Sequence, residues 1–170
     1  NLIRLFSAEY EDYLRDESRI SGQAESISFP KNPAELAEII SALAEAQQHL
    51  TVQGGRTGLT AAAVPLEGGH ILNTSRLGGI LAARYEENAD SFFLTVGPGL
   101  PLSELRKALA EKSFNIQGWD EPSKSALANL KPGEWFFPTD PTESSALLGG
   151  IIACNASGAR SFAYGPVRPH

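Results

Sequence analysis

Thr51-Val52-Gln53-Gly54-Gly55-Arg56-Thr57-Gly58-Leu59-Thr60 decides the reading of the chain, because it runs a short β-favouring stretch straight into a glycine-dense loop. Glycine lets a ligand approach the main chain closely, so that successive N–H groups can converge on an anion. Arg56, Thr57 and Thr60 can add charged and hydroxyl donors. Two familiar phosphate loops are set aside: no Lys-Ser/Thr pair follows the last glycine, as a P-loop requires, and the spacing is not the G-x-G-x-x-G of a Rossmann turn. A lone G-G-x-x-G is also an ordinary surface turn, since glycine is the default turn residue. The loop alone leaves both readings open.

Working outward, the segment before the loop carries the clearest helix signal in the chain. Asn32 is an N-cap, Pro33 sits at the first helical position, Glu35 completes an N-x-x-E capping pattern, and Leu36, Ile39, Ile40 and Leu43 follow at core-facing spacing. The helix is expected to end near His49, and Leu50 and Val52 to form a strand that delivers the chain into the loop. Helix, strand and loop in that order make an α/β unit, in which ligand loops lie at strand ends. Upstream, Ser7 to Arg15 reads as a short helix with Ser7 as N-cap, and Ser26 to Phe29 as a short strand stopped by Pro30. Downstream, His70-Ile71-Leu72-Asn73 reads as a strand entered through the Gly68-Gly69 turn, and Tyr85 to Asp90 as an exposed turn. Phe92 to Val96 reads as a strand buried on both faces. A strand-to-helix bend at Gly97-Pro98-Gly99 leads into a helix carrying Leu102, Leu105, Ala108 and Leu109 and ending by Ser113. Asn115 to Glu134 has no clear period and reads as a loop with one helical turn at Ser125 to Leu130, over which Trp119 and Trp135 close as local core.

A second set of small residues lies near the C-terminus. Phe137-Pro138-Thr139-Asp140-Pro141-Thr142 is followed by Gly149-Gly150-Ile151-Ile152-Ala153-Cys154-Asn155-Ala156-Ser157-Gly158-Ala159-Arg160 and then Tyr164-Gly165. With Gly68-Gly69-His70-Ile71-Leu72-Asn73-Thr74-Ser75-Arg76-Leu77 between the two sets, the order of motifs resembles the FAD-binding domain of the vanillyl-alcohol oxidase/p-cresol methylhydroxylase (PCMH-type) family. The branch it looks most like holds D-lactate dehydrogenase, D-2-hydroxyglutarate dehydrogenase and one of the subunits of glycolate oxidase. The similarity runs from about Asp16-Glu17-Ser18 to the last residue.

The resemblance implies an α+β domain with FAD between two lobes. Residues 1–113 would form the first α/β lobe, 114–135 an inserted loop, and 136–170 the start of the second lobe. It places Gly54, Gly55, Arg56, Thr57, Gly58 and Leu59 at the pyrophosphate and Ser75 near the second loop. Pro138, Asp140, Thr142, Gly149, Gly150, Asn155, Ser157, Gly158 and Tyr164 fall along the flavin and ribityl side. It implies a flavin-dependent oxidase or dehydrogenase that takes a hydride from a small 2-hydroxy acid and passes electrons to an unnamed acceptor. Two departures from the family pattern concern the first loop: Ala61-Ala62 stands where many members have Gly-Gly, and Arg56 where many have Asn. Some members attach FAD through a histidine in or beside this loop. No histidine lies between His49 and His70, so non-covalent FAD is expected. A phosphate-ligand module without redox chemistry, and a structural domain whose glycines only make turns, are the alternatives.

Composition narrows the classes further. A net charge of −6 argues against a nucleic-acid partner, which asks for a basic face. A hydrophobic fraction of 42% with 20% charged residues is that of a soluble globular domain. Cys154 is the single cysteine, which rules out an internal disulfide, and its apolar surroundings in sequence predict a buried thiol. His49, His70 and His170 lack metal-ligand spacing and are expected to be structural or superficial, with no metal bound. No apolar run is long enough to span a bilayer and no signal pattern opens the chain, so a cytoplasmic or membrane-peripheral location is expected, with homo-oligomers allowed. The absence of Met and the end at Val167-Arg168-Pro169-His170 lead us to expect a fragment, inactive alone, with a substrate-covering cap domain elsewhere. No catalytic base is identifiable in this stretch.

Overall fold

The computed structural model describes residues 1–130, 135–139, 143–168 and 170. It has α and β elements in both of its two compact units, Asn1–Leu77 and Gly78–His170.

In the first unit, β1 (Arg4–Leu5), β2 (Ser26–Ser28), β3 (Leu50–Gln53) and β4 (His70–Asn73) form one sheet in the order β1-β2-β4-β3. β1 is antiparallel to β2, whereas β2, β4 and β3 run parallel. Helix α1 (Pro33–Glu45) makes the crossover between β2 and β3. Adjacent strand residues point to opposite faces, and β4 shows the result. Ile71 packs with Ile27 and Tyr10 on one side, under Phe6, Tyr13, Leu14 and Phe29, while Leu72 packs with Ile39 and Leu43 of α1 on the other. The aromatic side is supplied by a 3-10 segment, Ala8–Leu14, where a short helix is expected. Ser7 does not cap it; its hydroxyl meets the Glu9 carboxylate instead.

α1 begins as its sequence dictates, with Asn32 Oδ1 accepting from the Glu35 amide at 2.9 Å. Glu35 turns back to the amide of Lys31 rather than to that of Asn32. The helix ends at Glu45, short of His49. Gln47 adopts a left-handed φ of 51°, the Gln47 amide bonds Ala44 O and the Gln48 amide bonds Leu43 O, a Schellman closure that needs no glycine. β3 is an edge strand, so Leu50 and Val52 stay 41% and 55% exposed while Gln53 is fully buried.

In the second unit β5 (Ile80–Glu86) and β6 (Ser91–Val96) form an antiparallel hairpin, closed by a 3-10 turn at Glu87–Ala89 and by Asp90 at φ 44°. β5 corrects the expected turn from Tyr85, and β6 is half-exposed rather than buried on both faces, because a two-stranded ribbon has a single packed side. Helix α2 (Leu102–Glu111) buries Leu102, Leu105, Ala108 and Leu109 as expected. Helix α3 (Glu121–Ala126), capped by Asp120, and a 3-10 turn at Leu127–Asn129 stand where one helical turn from Ser125 is expected. Trp119 is buried between Ala83 and Ala126, its indole N–H donating to Ile80 O at 3.0 Å. Trp135 packs against Phe92 and Tyr85.

The last elements are α4 (Leu148–Ala153) and α5 (Ser161–Tyr164). The entry to α4 is laid against the chain before α2 by bonds from Leu148 N to Leu100 O and from Gly149 N to Pro98 O, both 2.9 Å. Leu148 and Ile151 thereby join Leu100, Leu102, Leu105 and Val167 in one core. Cys154, expected to be buried, is exposed: it follows the last turn of α4 on the side away from that core.

Candidate functional site

Both candidate loops of the first unit leave the carboxyl ends of neighbouring parallel strands, Gly54 to Thr60 after β3 and Thr74 to Leu77 after β4. Their positions are locked by side chains to which the sequence alone assigns no role. Asn73, 1% exposed, donates from Nδ2 to Gly54 O at 3.3 Å and accepts the Ser75 amide at Oδ1 at 3.0 Å, so one amide ties the first loop to the second. The Thr74 hydroxyl and amide both donate to Gln53 O. Gln53 in turn sends Nε2 to Tyr13 O at 2.7 Å and to Ala63 O at 2.6 Å, closing the base of the loop. An Asn at a strand end followed by Thr-Ser is an Asx-turn signal, and it could have been read. The inward face of Gln53 could not.

The backbone of the first loop is laid open. Among the described residues, none of the seven amides from Gly54 to Thr60 donates to a protein acceptor. None of Gly54, Gly55 and Gly58 has a positive φ; the left-handed angles of this stretch fall on Arg56 at 58° and Ala61 at 59°. A Cβ placed on Gly58 would meet only Asp16 Oδ2, at 4.0 Å. Arg56 lays its guanidinium on the ring of Tyr13, 4.2 Å from the centroid. Leu59 is 76% exposed. Asp16 is buried, and its Oδ1 accepts from Ser18 N while its Oδ2 has no partner.

At the start of β4 His70 is fully buried, with Nδ1 2.8 Å from Ser26 Oγ and Nε2 2.7 Å from Ser28 Oγ. Burial pushes its pKa down to about 4, so the ring is neutral, donating from one nitrogen and accepting at the other. It bridges β2 and β4.

In the second unit the structure brings Gly149 to Tyr164 together as one helix, a turn and a further short helix, while Asp140 and Thr142 lie outside the described residues. A Cβ on Gly149 would come within 2.6 Å of Pro98 Cβ, so packing accounts for that glycine; Gly150 beside it faces open space. Asn155, at φ 48°, accepts the Arg168 amide at 2.8 Å. The Gly158 amide donates to Ser161 Oγ at 2.8 Å. Ser157 is exposed, Pro138 half-buried, and Tyr164, 47% exposed, sets its ring edge-on to Phe136.

Residues 24–119 match the family model described as FAD binding domain. A D-lactate dehydrogenase of Archaeoglobus fulgidus is 29% identical over 139 residues, covering 82% of this chain and 26% of its own. A D-2-hydroxyglutarate dehydrogenase of Xanthomonas citri is 30% identical over 164 residues, covering 95% and 29%. The chain therefore spans less than a third of the length of these relatives. Among solved structures, an alkyldihydroxyacetonephosphate synthase superposes with a TM-score of 0.69 at 14% identity, covering 99% of this chain and 29% of its own. A chitooligosaccharide oxidase gives 0.66 at 13%, covering 95% and 29%. These likenesses show the fold. No described helix is long and apolar enough to cross a membrane.

The first loop fits the charged middle of such a dinucleotide. Seven amides without a protein acceptor suit a pyrophosphate, and Gly58 has room for close approach.

Proposed function

The chain belongs to the FAD-binding domain family, PCMH-type, of the flavin oxidoreductases, and from that premise we propose that it supplies the cofactor-binding part of an enzyme that oxidises a small 2-hydroxy acid of the D-lactate, glycolate or 2-hydroxyglutarate kind. The names of the relatives support that substrate class. The observation that carries the binding role is the run of unpaired amides, Gly54 to Thr60, at the carboxyl end of β3.

In this reading, Gly54 to Leu59 hold the pyrophosphate through main-chain N–H groups, whose partial positive charge offsets the phosphate oxygens without any side chain having to be ordered. Asn73 keeps Ser75 beside the first loop. Pro138, Gly150, Ser157 and Tyr164 face the flavin and ribityl side in this reading, to which the resemblance also assigns Asp140 and Thr142, outside the described residues. Gly149, Asn155 and Gly158 take a supporting part on that side, since packing or local hydrogen bonds already occupy these three. The lobes of this reading, 1–113 and 136–170 with 114–135 an insertion, divide the chain elsewhere than its compact units, Asn1–Leu77 and Gly78–His170. When bound, the flavin supplies the two-electron acceptor. The protein's part is to place it and to keep its charge neutralised.

Absorption by the purified full-length protein, of which this chain is a part, tests the reading. Flavin bands are expected, and because no histidine lies in the loop the colour is expected in the supernatant after acid precipitation. Anaerobic addition of D-lactate, glycolate or D-2-hydroxyglutarate is expected to bleach them. Gly55→Val is expected to weaken FAD binding by a hundredfold or more, about 2.7 kcal/mol, with the unfolding midpoint in urea close to that of the unaltered protein. Full flavin content in folded Gly55→Val would refute the placement of the pyrophosphate.

A further inference from the structure

The charged residue of the first loop is spoken for. The guanidinium of Arg56 stacks on Tyr13, its Nη1 donates to Asp12 O at 2.7 Å, and the Glu17 amide donates back to Arg56 O at 3.3 Å. Gln53 Nε2 reaches Tyr13 O from the strand before the loop. Residues 12–17 therefore lie along residues 53–58 and touch them at both main chain and side chain. Tyr13 is itself fixed, with Phe29 edge-on at 5.2 Å and Tyr10 at 6.3 Å. Phe29 also carries Arg76, 5.2 Å from its centroid, directly after Ser75 of the second loop. Both loops thus rest an arginine on the same pair of touching rings.

The backbone says why a tether is needed. At φ 58° Arg56 occupies a conformation that costs any residue with a Cβ, so an untethered loop would relax away from it. A planar guanidinium stacked on an aromatic face and donating to a carbonyl is held by those partners, which fix where the charge of the loop sits.

We propose that Arg56 is a positioning residue, a tether that holds the cofactor loop open on Tyr13, and that its charge does not contact the phosphate. The proposal rests on the FAD reading for its effect on binding, while the tether itself is read without ligand.

Arg56→Gln, Tyr13→Leu and the double variant test it, with FAD titrated over a range of salt concentrations. Each single change is expected to weaken FAD about tenfold, with the double variant no weaker than either, because both break one contact. The salt dependence of binding is expected to stay as it is, since no phosphate-facing charge is lost. Tyr13→Phe is expected to keep full affinity. Arg56→Lys, a change gentle enough to preserve the fold, keeps the charge but not the flat fork; it rescues a phosphate contact and does not rescue a tether. A flattened salt dependence in Arg56→Gln with unchanged affinity in Tyr13→Leu would overturn the proposal, as would wild-type affinity in both. In ligand-free protein the Arg56 Hδ protons are expected upfield by ring-current shift, and to move back in Tyr13→Leu. An unshifted Hδ signal overturns the tether, whereas an unaltered protein that binds no FAD removes the cofactor reading and leaves that signal to decide the tether alone.

Discussion

The first unit contains two glycine pairs that look alike in sequence and do opposite things. Gly68 and Gly69 lie at φ 76° and 82°, where a side chain is strained, and a Cβ on Gly69 would stand 2.3 Å from His49 O. Their polar groups are used: Gly68 N bonds Pro65 O, and Gly69 O accepts from Glu25 and Ser26. Gly54 and Gly55 have no positive φ, and their amides are unused. One pair is glycine because the chain must turn and pack there. The other is glycine at backbone angles open to other residues, and in the FAD reading its missing side chains leave room for what approaches from outside. Backbone angle and hydrogen-bond use, rather than glycine count, separate a turn from a cradle.

The largest effect that would break this contrast is at the turn. Gly69→Val adds a branched side chain at a left-handed angle against a carbonyl, with a loss of about 3 kcal/mol or more of stability expected from urea unfolding. An unchanged midpoint would show that the turn relaxes freely and that the two pairs do not differ.

His70, next to that turn, extends the same idea to pH. Its folded pKa of about 4 is below the ordinary 6.5, so the unfolded chain binds more protons between these values. The contribution is whole above pH 6.5, falls as the pH drops, and is gone near 4, a loss of roughly 3 kcal/mol. Urea midpoints between pH 7 and 4 measure it. His70→Gln, less stable at neutral pH, is expected to show a shallower slope in that window; an equal slope would move the titration elsewhere.

How much of this is legible in the sequence depends on whether a feature is local. The start of α1 is written in Asn32, Pro33 and Glu35, and the glycine loop in its own residues, so both can be read directly. The end of α1 cannot, because Gln47 takes a left-handed angle that favours glycine. β5 escapes a sequence reading although Ile80-Leu81-Ala82-Ala83 precedes the polar stretch that reads as a turn; a ribbon packed on one side needs little apolar alternation. Cys154 reverses its expected environment for a tertiary reason, since a six-residue α4 ends before it can reach the core, and an edge strand leaves Leu50 and Val52 outside with Gln53 inside. The unpaired state of the loop amides emerges only once every neighbour is placed.

The smallest expected effect gives the sharpest test, because it is predicted to have opposite signs on folding and on binding. Gly58 has no positive φ, and a Cβ there would find only Asp16 Oδ2 at 4.0 Å, an ordinary contact distance. Gly58→Ala therefore introduces no clash, and by restricting the unfolded chain it is expected to raise stability by about 0.5 kcal/mol. If the open amides of this loop are where pyrophosphate sits, the same methyl group stands in the space the ligand needs, and FAD affinity is expected to fall by about fivefold to tenfold, near 1 kcal/mol. A surface turn would show the gain in stability without the loss in affinity. A turn of the Gly69 kind would lose stability and leave affinity untouched in whatever stays folded. Urea unfolding and FAD titration on one preparation give both numbers, and only a gain in the first together with a loss in the second is what a cradle predicts.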